Sequence, residues 1–279
     1  MLGAIIGDIV GSPYEFHNIK TKDFPLFCEH SCFTDDTILT CATADWLING
    51  DNPGKYLKKW GNMYANRTYE NGTVAPFGEG FMKWLNTGQE YNAKTNGCIM
   101  RLSPIPLWFD DMNEAMQKAE ELTKITHNHP ESLNATKAYI ETAFLLKNNT
   151  STAIIKNVIE HKYGYNMNKS VDEIRSNYDR FYCSCKNSVP QAIICALEAK
   201  SYEDAIRNAV SLGGDSDTLA CMAGGLAQIK FTIPMEIIKN AEKYTDNNVK
   251  TILHNFLQKI SYKKNVQKIF PRAEAKFIR

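Results

Sequence analysis

The stretch Gly213-Gly-Asp-Ser-Asp-Thr218, running on into Leu219-Ala-Cys-Met-Ala-Gly-Gly-Leu-Ala227, decides how this chain folds. Its counterpart near the other end is Thr34-Asp-Asp-Thr37, followed by Ile38-Leu-Thr-Cys-Ala-Thr-Ala-Asp-Trp46. In both, acidic and hydroxyl side chains stand where an apolar, small-residue helix begins. Helices so poor in charge are buried on most sides, and carboxylates leading into them are costly unless a cation compensates. Asp, Ser and Thr are also the preferred N-cap residues, so helix capping accounts for either motif taken alone. A cap needs one side-chain oxygen, whereas two carboxylates plus threonines occur at both places. The doubled pattern of hard oxygens, with no thiolate or imidazole, points to a site for two hard divalent cations, Mg2+ or Mn2+.

Around these motifs the chain has an ordinary globular balance. It has 279 residues, 43% hydrophobic and 23% charged, with a formal net charge of +1. Such a chain can bury a sizeable core, and its charge marks neither a nucleic-acid binder nor a membrane-surface protein. The Lys-rich last twenty residues (Lys263, Lys264, Lys268, Lys276) read as a solvated tail. No basic leader precedes the short apolar start, and no run of eighteen apolar residues offers a membrane span. Of the eight cysteines, Cys41, Cys195 and Cys221 lie in apolar helical patterns as small buried hydrophobes. The pairs Cys28/Cys32 and Cys183/Cys185 lack a second pair at zinc-finger spacing. The expectation is a reduced, cytoplasmic protein.

Apolar spacing is helical almost throughout. Over 249–262, Ile252, Leu253, Phe256, Leu257 and Ile260 fall on one helical face, and 203–212 and 130–146 repeat the pattern. Pro53, Pro130, Pro190 and Pro234 are placed to open helices. Sustained period-2 alternation is missing. The pattern predicts an all-α chain of a dozen or so helices, with loops over 15–33, 69–77, 87–96 and 162–185. The acidic motifs lie so far apart that a shared site makes residues 1–279 one domain.

The ordered motifs Gly3-Ala-Ile-Ile-Gly-Asp-Ile-Val-Gly-Ser-Pro-Tyr-Glu15, Phe33-Thr-Asp-Asp-Thr37, Asn96-Gly-Cys-Ile-Met-Arg101, Thr126-His127 and Gly213-Gly-Asp-Ser-Asp-Thr218 resemble the ADP-ribosylglycohydrolase family, which includes dinitrogenase reductase-activating glycohydrolase and the ADP-ribosyl-acceptor hydrolases. The resemblance covers almost the whole chain. It implies a compact orthogonal multi-helix bundle with a dinuclear Mg2+ or Mn2+ cleft, and hydrolysis at the anomeric carbon of ADP-ribose joined to an acceptor. By motif position it implies Thr34, Asp35, Asp36 and Asp217 at one metal, and Asp215, Asp217 and Thr218 at the second. Asp35 and Glu15 are the catalytic candidates, Glu15 acting on substrate or water. His127 would line the ribose end, and the loop at Asn96 and Gly97 would pack on ribose and diphosphate. The chain departs from the family pattern where Thr95-Asn96-Gly97 replaces Gly-Asn-Gly, at Cys98-Ile99, and at Pro76-Phe77-Gly78, all away from the acidic motifs.

Blander roles stay open beside these. Asp8, in the first apolar helix, suits either hydrogen bonding to a neighbouring loop or catalysis. His129 reads as a polar wall, and Phe77 and Tyr91 as core aromatics that could alternatively stack on adenine. The leading expectation is removal of ADP-ribose from a protein side chain such as arginine. The alternatives are a small ADP-ribosylated or ribosylated metabolite as substrate, and a non-catalytic ADP-ribose-binding relative. No direct nucleic-acid or membrane partner is expected, and no motif sets an oligomeric state.

Overall fold

A computed structural model describes residues 1–68 and 77–264, of which 263 and 264 only as backbone. The expected 69–77 loop, all but Phe77, Pro76 of the Pro-Phe-Gly departure, and Lys268 and Lys276 of the Lys-rich tail lie outside the described residues, whereas Lys263 and Lys264 end the last helix. Among the described residues fourteen α-helices occur: α1 (Leu2–Gly11), α2 (Asp35–Asn49), α3 (Pro53–Tyr64), α4 (Glu79–Thr87), α5 (Ile105–Trp108), α6 (Met112–His127), α7 (Pro130–Lys147), α8 (Thr152–Tyr163), α9 (Val171–Asn177), α10 (Cys185–Glu198), α11 (Tyr202–Val210), α12 (Ser216–Lys230), α13 (Met235–Ala241) and α14 (Asn247–Lys264). Pairing of β type among the described residues amounts to isolated bridges such as Asn92–His127 and Thr95–Ser184. The all-α expectation holds. No described helix is long and apolar enough to cross a membrane.

The helix pair α1 and α12 makes the most extensive contact in the fold, and glycine spacing explains how. Gly3, Gly7 and Gly11 recur every four residues and so share one face of α1. A Cβ on Gly7 would lie 2.1 Å from the Ala220 carbonyl oxygen, and one on Gly11 would lie 2.5 Å from Asp217 Cα. Only a side chain without a Cβ permits that backbone approach. Polar groups pin the seam: Tyr202 Oη donates to Gly3 O (2.7 Å), and Gln228 Oε1 accepts from Gly3 N (3.0 Å). Around it, α2, α7, α10 and α11 close one continuous apolar core, with Ile5, Ile6, Ile9, Ile38, Leu219 and Leu226 buried.

Two expectations change. The segment 162–185 is not all loop, because Ser170 and Glu173 form a reciprocal capping box that starts α9. Pro190 does not open a helix; it sits inside α10, which begins at Cys185. Burial of Cys185, Ser188, Val189, Ala192 and Ile193 carries the helix past the amide that proline lacks. Pro53 and Pro130 do occupy first turns, and Pro234 immediately precedes α13.

Replacing Gly7 with alanine should therefore destabilise the protein by about 1–3 kcal/mol through forced overpacking at the seam. Denaturant midpoints of wild type and Gly7→Ala measure this; equal midpoints would show that the seam yields freely.

Candidate functional site

Helix α12 starts from a turn that only glycines make easily. Gly213 and Gly214 both have left-handed φ (74° and 72°), and a Cβ on Gly214 would lie 2.8 Å from the Tyr178 ring. Asn18 clamps this turn from the N-terminal loop, accepting from Gly214 N (2.8 Å) and donating to Gly214 O (3.0 Å). Lys20 Nζ donates to the carbonyls of Leu212 and Tyr178 beside it. The turn delivers Asp215 as the residue before α12, yet its carboxylate makes no cap bond. It accepts instead from Asn96 Nδ2 (2.6 Å). Capping thus leaves the α12 carboxylates for another role. At α2 capping is real but falls to Thr34, whose Oγ1 accepts from Asp36 N (3.3 Å) and donates to Asp8 Oδ1 (2.8 Å).

Two groups of three carboxylates result: Asp8 with Asp36 and Asp217, and Glu15 with Asp215 and Asp217. In each, one oxygen per residue lies within 4.8 Å of the others. Asp217 is common to both. Asp8 is the member whose place the sequence left undecided. It accepts from the backbone amides of Thr34 (2.9 Å) and Thr37 (3.0 Å), so it performs the loop-bonding role and joins the cluster as well. Thr218 Oγ1 donates to Asp36 Oδ2 (3.1 Å), and Asp36 Oδ1 is buried without a hydrogen-bond partner. Asp35 stands outside both groups, half-buried and lining the cleft.

The cleft above the cluster has a volume of about 460 Å³. Glu15, Asp35, Asp215, Asp217 and Thr218 line it together with Thr95, Asn96, Gly97, Met100 and His127. Phe181 also lines it and stacks its ring on the exposed Phe16 (6.0 Å between centroids), a pair that no pattern in the sequence signals. Tyr91 packs against His127 (5.9 Å), and Phe77 packs against Phe81 (4.9 Å) and is buried. His129 lies apart as the N-cap of α7, its Nδ1 accepting from Glu131 N (3.1 Å). No cysteine enters a metal-type cluster among the described residues.

Electrostatics follow from burying like charges together. Burial first, then the charges of Asp215, Asp35 and Asp8, pushes Glu15 up to about 8. Asp35 rises to about 8 through burial and then Asp8 and Asp215. Burial raises Asp8 to about 6 against the bonds from Thr37 and Thr34, and burial with neighbouring carboxylates drives Asp36 and Asp217 well above the usual range. None of the six carboxylates pairs with a Lys or Arg among the described residues. Hard oxygen donors, an unpartnered buried carboxylate oxygen and uncompensated negative charge together fit divalent cations of the Mg2+ or Mn2+ kind.

Comparison with known proteins gives this acidic helical cleft its class. The family model described as ADP-ribosylglycohydrolase matches residues 1–253. The chain belongs to that family, which supports a glycohydrolase acting on a glycosidic linkage to ADP-ribose. Among individual proteins, it is 26% identical over 268 residues to "ADP-ribosylarginine hydrolase Tri1" of Pseudomonas putida (strain GB-1), covering 81% of this chain and 68% of that protein. It is 24% identical over 283 residues to an uncharacterized protein of Archaeoglobus fulgidus, covering 87% and 91% of the two chains. A solved structure titled "ADP-ribosylglycohydrolase-related protein complex" superposes with a TM-score of 0.61 at 18% identity, over 93% of this chain and 94% of that one, and so shares the fold.

A carboxyl whose folded pKa is raised favours the folded state while neutral. That advantage is full below its ordinary value near 4 and is lost as pH rises through its folded value. For Glu15 and Asp35 the window ends at about 8. The metal-free protein should therefore lose thermal stability between about pH 5 and about pH 8. Added Mg2+ or Mn2+ should raise Tm more at the upper pH, by the mass action of a ligand that binds only the folded state. Thermal scans with EDTA and with each cation check this; an equal cation effect at both pH values would sink it.

Proposed function

We propose that this protein removes ADP-ribose from a modified protein side chain, arginine foremost, using two divalent cations held by the acidic cluster. The observation that carries the reading is the pair of three-carboxylate groups sharing Asp217 at one side of the cleft. The arginine linkage is supported by the name of the Pseudomonas putida relative, at 26% identity.

In this reading Asp8, Asp36 and Asp217 would hold one cation, with Thr34 and Asp35 nearby in the chain, and Glu15, Asp215 and Asp217, with Thr218 following, would hold the second. When bound there, such cations lower the pKa of a water and fix ribose hydroxyls. The chain's own groups do the rest. Asn96 holds Asp215 in place through its 2.6 Å bond. Thr218 orients Asp36, and the Asp8 bonds to Thr34 and Thr37 fix the start of α2. Glu15 is half-buried on the cleft side, where it can move a proton between water and the departing group. In the overall reaction the C1–N bond of the ADP-ribosyl arginine breaks as a water oxygen bonds to that carbon. One water proton goes to the guanidine, and the other stays on the new hydroxyl. Positive charge builds on the ribose ring as the bond breaks, and the Glu15 and Asp35 carboxylates stabilise it. Asn96, Gly97 and His127 line the same cleft and form the surface against which ribose and diphosphate rest. The single-domain reading of residues 1–279 goes with this proposal, since the cluster draws on both ends of the chain.

Release of ADP-ribose from arginine-modified and serine-modified proteins tests the reading, with Mg2+, with Mn2+ and with EDTA. Arginine-linked release should need the cation and vanish in Asp217→Asn. Glu15→Gln should lower kcat by about 10²–10⁴-fold, the range that positioned acid–base groups supply. Absence of release from every protein acceptor, with ADP-ribosylated metabolites cleaved, would replace the substrate. Tight ADP-ribose binding without any hydrolysis would replace the enzyme reading with a binding protein.

A further inference from the structure

We infer that the Thr95 hydroxyl donates a hydrogen bond to an acceptor oxygen of the bound ligand, its proton turned into the cleft by a chain of side chains running from Arg101 through Thr126 and His127. The chain begins at Arg101, which is fully buried. Its Nη2 donates to Thr126 Oγ1 (2.8 Å) and to Leu122 O (3.2 Å), while Nε and Nη1 find no acceptor. A guanidinium only donates, so the Thr126 oxygen is the acceptor in that bond. In the inferred arrangement Thr126 gives its own proton to His127 Nδ1, 2.8 Å away.

Nδ1 accepts, so a neutral His127 carries its proton on Nε2. Burial, and next the positive charge of Arg101, hold His127 well below the ordinary histidine value, so the ring is neutral. Nε2–H then donates to Thr95 Oγ1 (2.9 Å). With that lone pair used, the Thr95 proton points elsewhere, and Thr95 Oγ1 makes no second bond among the described residues. Thr95 is half-buried and lines the cleft one residue before Asn96. The polarity of the whole chain therefore runs one way, from a cation that cannot accept to a hydroxyl free to donate. An accepting ligand oxygen, phosphoryl or ribose, is the group that this hydroxyl recognises.

The identity of the ligand rests on the ADP-ribosyl reading above, whereas the proton arrangement does not. Two measurements keep them apart. Long-range ¹H–¹⁵N spectra of the ¹⁵N-histidine protein should show His127 protonated on Nε2; protonation on Nδ1 overturns the inference whatever the ligand. Calorimetric binding of ADP-ribose and of ADP compares wild type with Thr95→Val and Thr95→Ser. The backbone of Thr95 is extended (φ −89°, ψ 161°) and suits valine. Thr95→Val should weaken binding about tenfold, the worth of one net hydrogen bond, while Thr95→Ser stays within about threefold. A loss with both ligands places the contact at the diphosphate, and a loss with ADP-ribose alone at its second ribose. Unchanged binding in Thr95→Val overturns the inference. Wild-type protein that binds neither ligand overturns the ADP-ribosyl reading and the ligand half of the inference, and leaves the tautomer as a separate result.

Discussion

The approach of two backbones governs this site. Because Gly3, Gly7 and Gly11 face α12 without side chains, the residues between them reach positions that ordinary helix packing would deny. Asp8 follows Gly7 directly and arrives beside Asp36 and Asp217. Bringing like charges into a buried place is unfavourable, so something must hold the helices together against it. The buried faces of α1, α2, α7, α10, α11 and α12 do so. The cluster thus draws on stability built elsewhere in the fold, in the manner of functional sites that retain local strain.

The loop that carries Thr95 and Asn96 into the cleft has further ties. Thr95 pairs with Ser184 as an isolated bridge. Asn96 N donates to Cys183 O (2.8 Å), and Cys185 N donates to Lys94 O (2.9 Å). These bonds bind the loop before Asn96 to the start of α10. The buried Cys98 and Cys185 thiols meet behind them at 3.8 Å. Met100, in the same cleft, accepts through its carbonyl from Thr40 of α2 (3.3 Å) and Cys221 of α12 (3.4 Å), and Asn96 bonds Asp215 directly, so this loop and the acidic cluster share supports.

What the sequence disclosed follows from how local each signal is. Helical periodicity and helix-opening prolines at 53 and 130 are local, and α3 and α7 begin where they say. Asp35, Asp36, Asp215 and Asp217 were conspicuous because acid at the mouth of an apolar helix is a local anomaly. Asp8 carried the same anomaly, a lone charge in an apolar helix, but its use depended on which helix lay opposite. That α12 would be the partner was written only in the glycine spacing of α1. Pro190 misled because burial further along α10 outweighs the local preference. The Arg101 to Thr95 relay was illegible, since two of its contacts span 25 and 32 residues and depend on side-chain directions. The Asn18 clamp on Gly214 spans 196 residues and had no pattern to announce it.

That long span has a consequence for any divided form of the molecule. Each three-carboxylate group mixes residues from the two ends of the chain: Asp8 and Asp36 with Asp217, and Glu15 with Asp215 and Asp217. A cut anywhere between α2 and α12 separates both groups at once, whatever each piece keeps of its own helices. Neither piece alone can complete a group, so the centre exists only as a property of the two pieces rejoined. On the two-cation proposal, cation uptake becomes a reporter of chain association, its two halves already matched by the glycine face of α1.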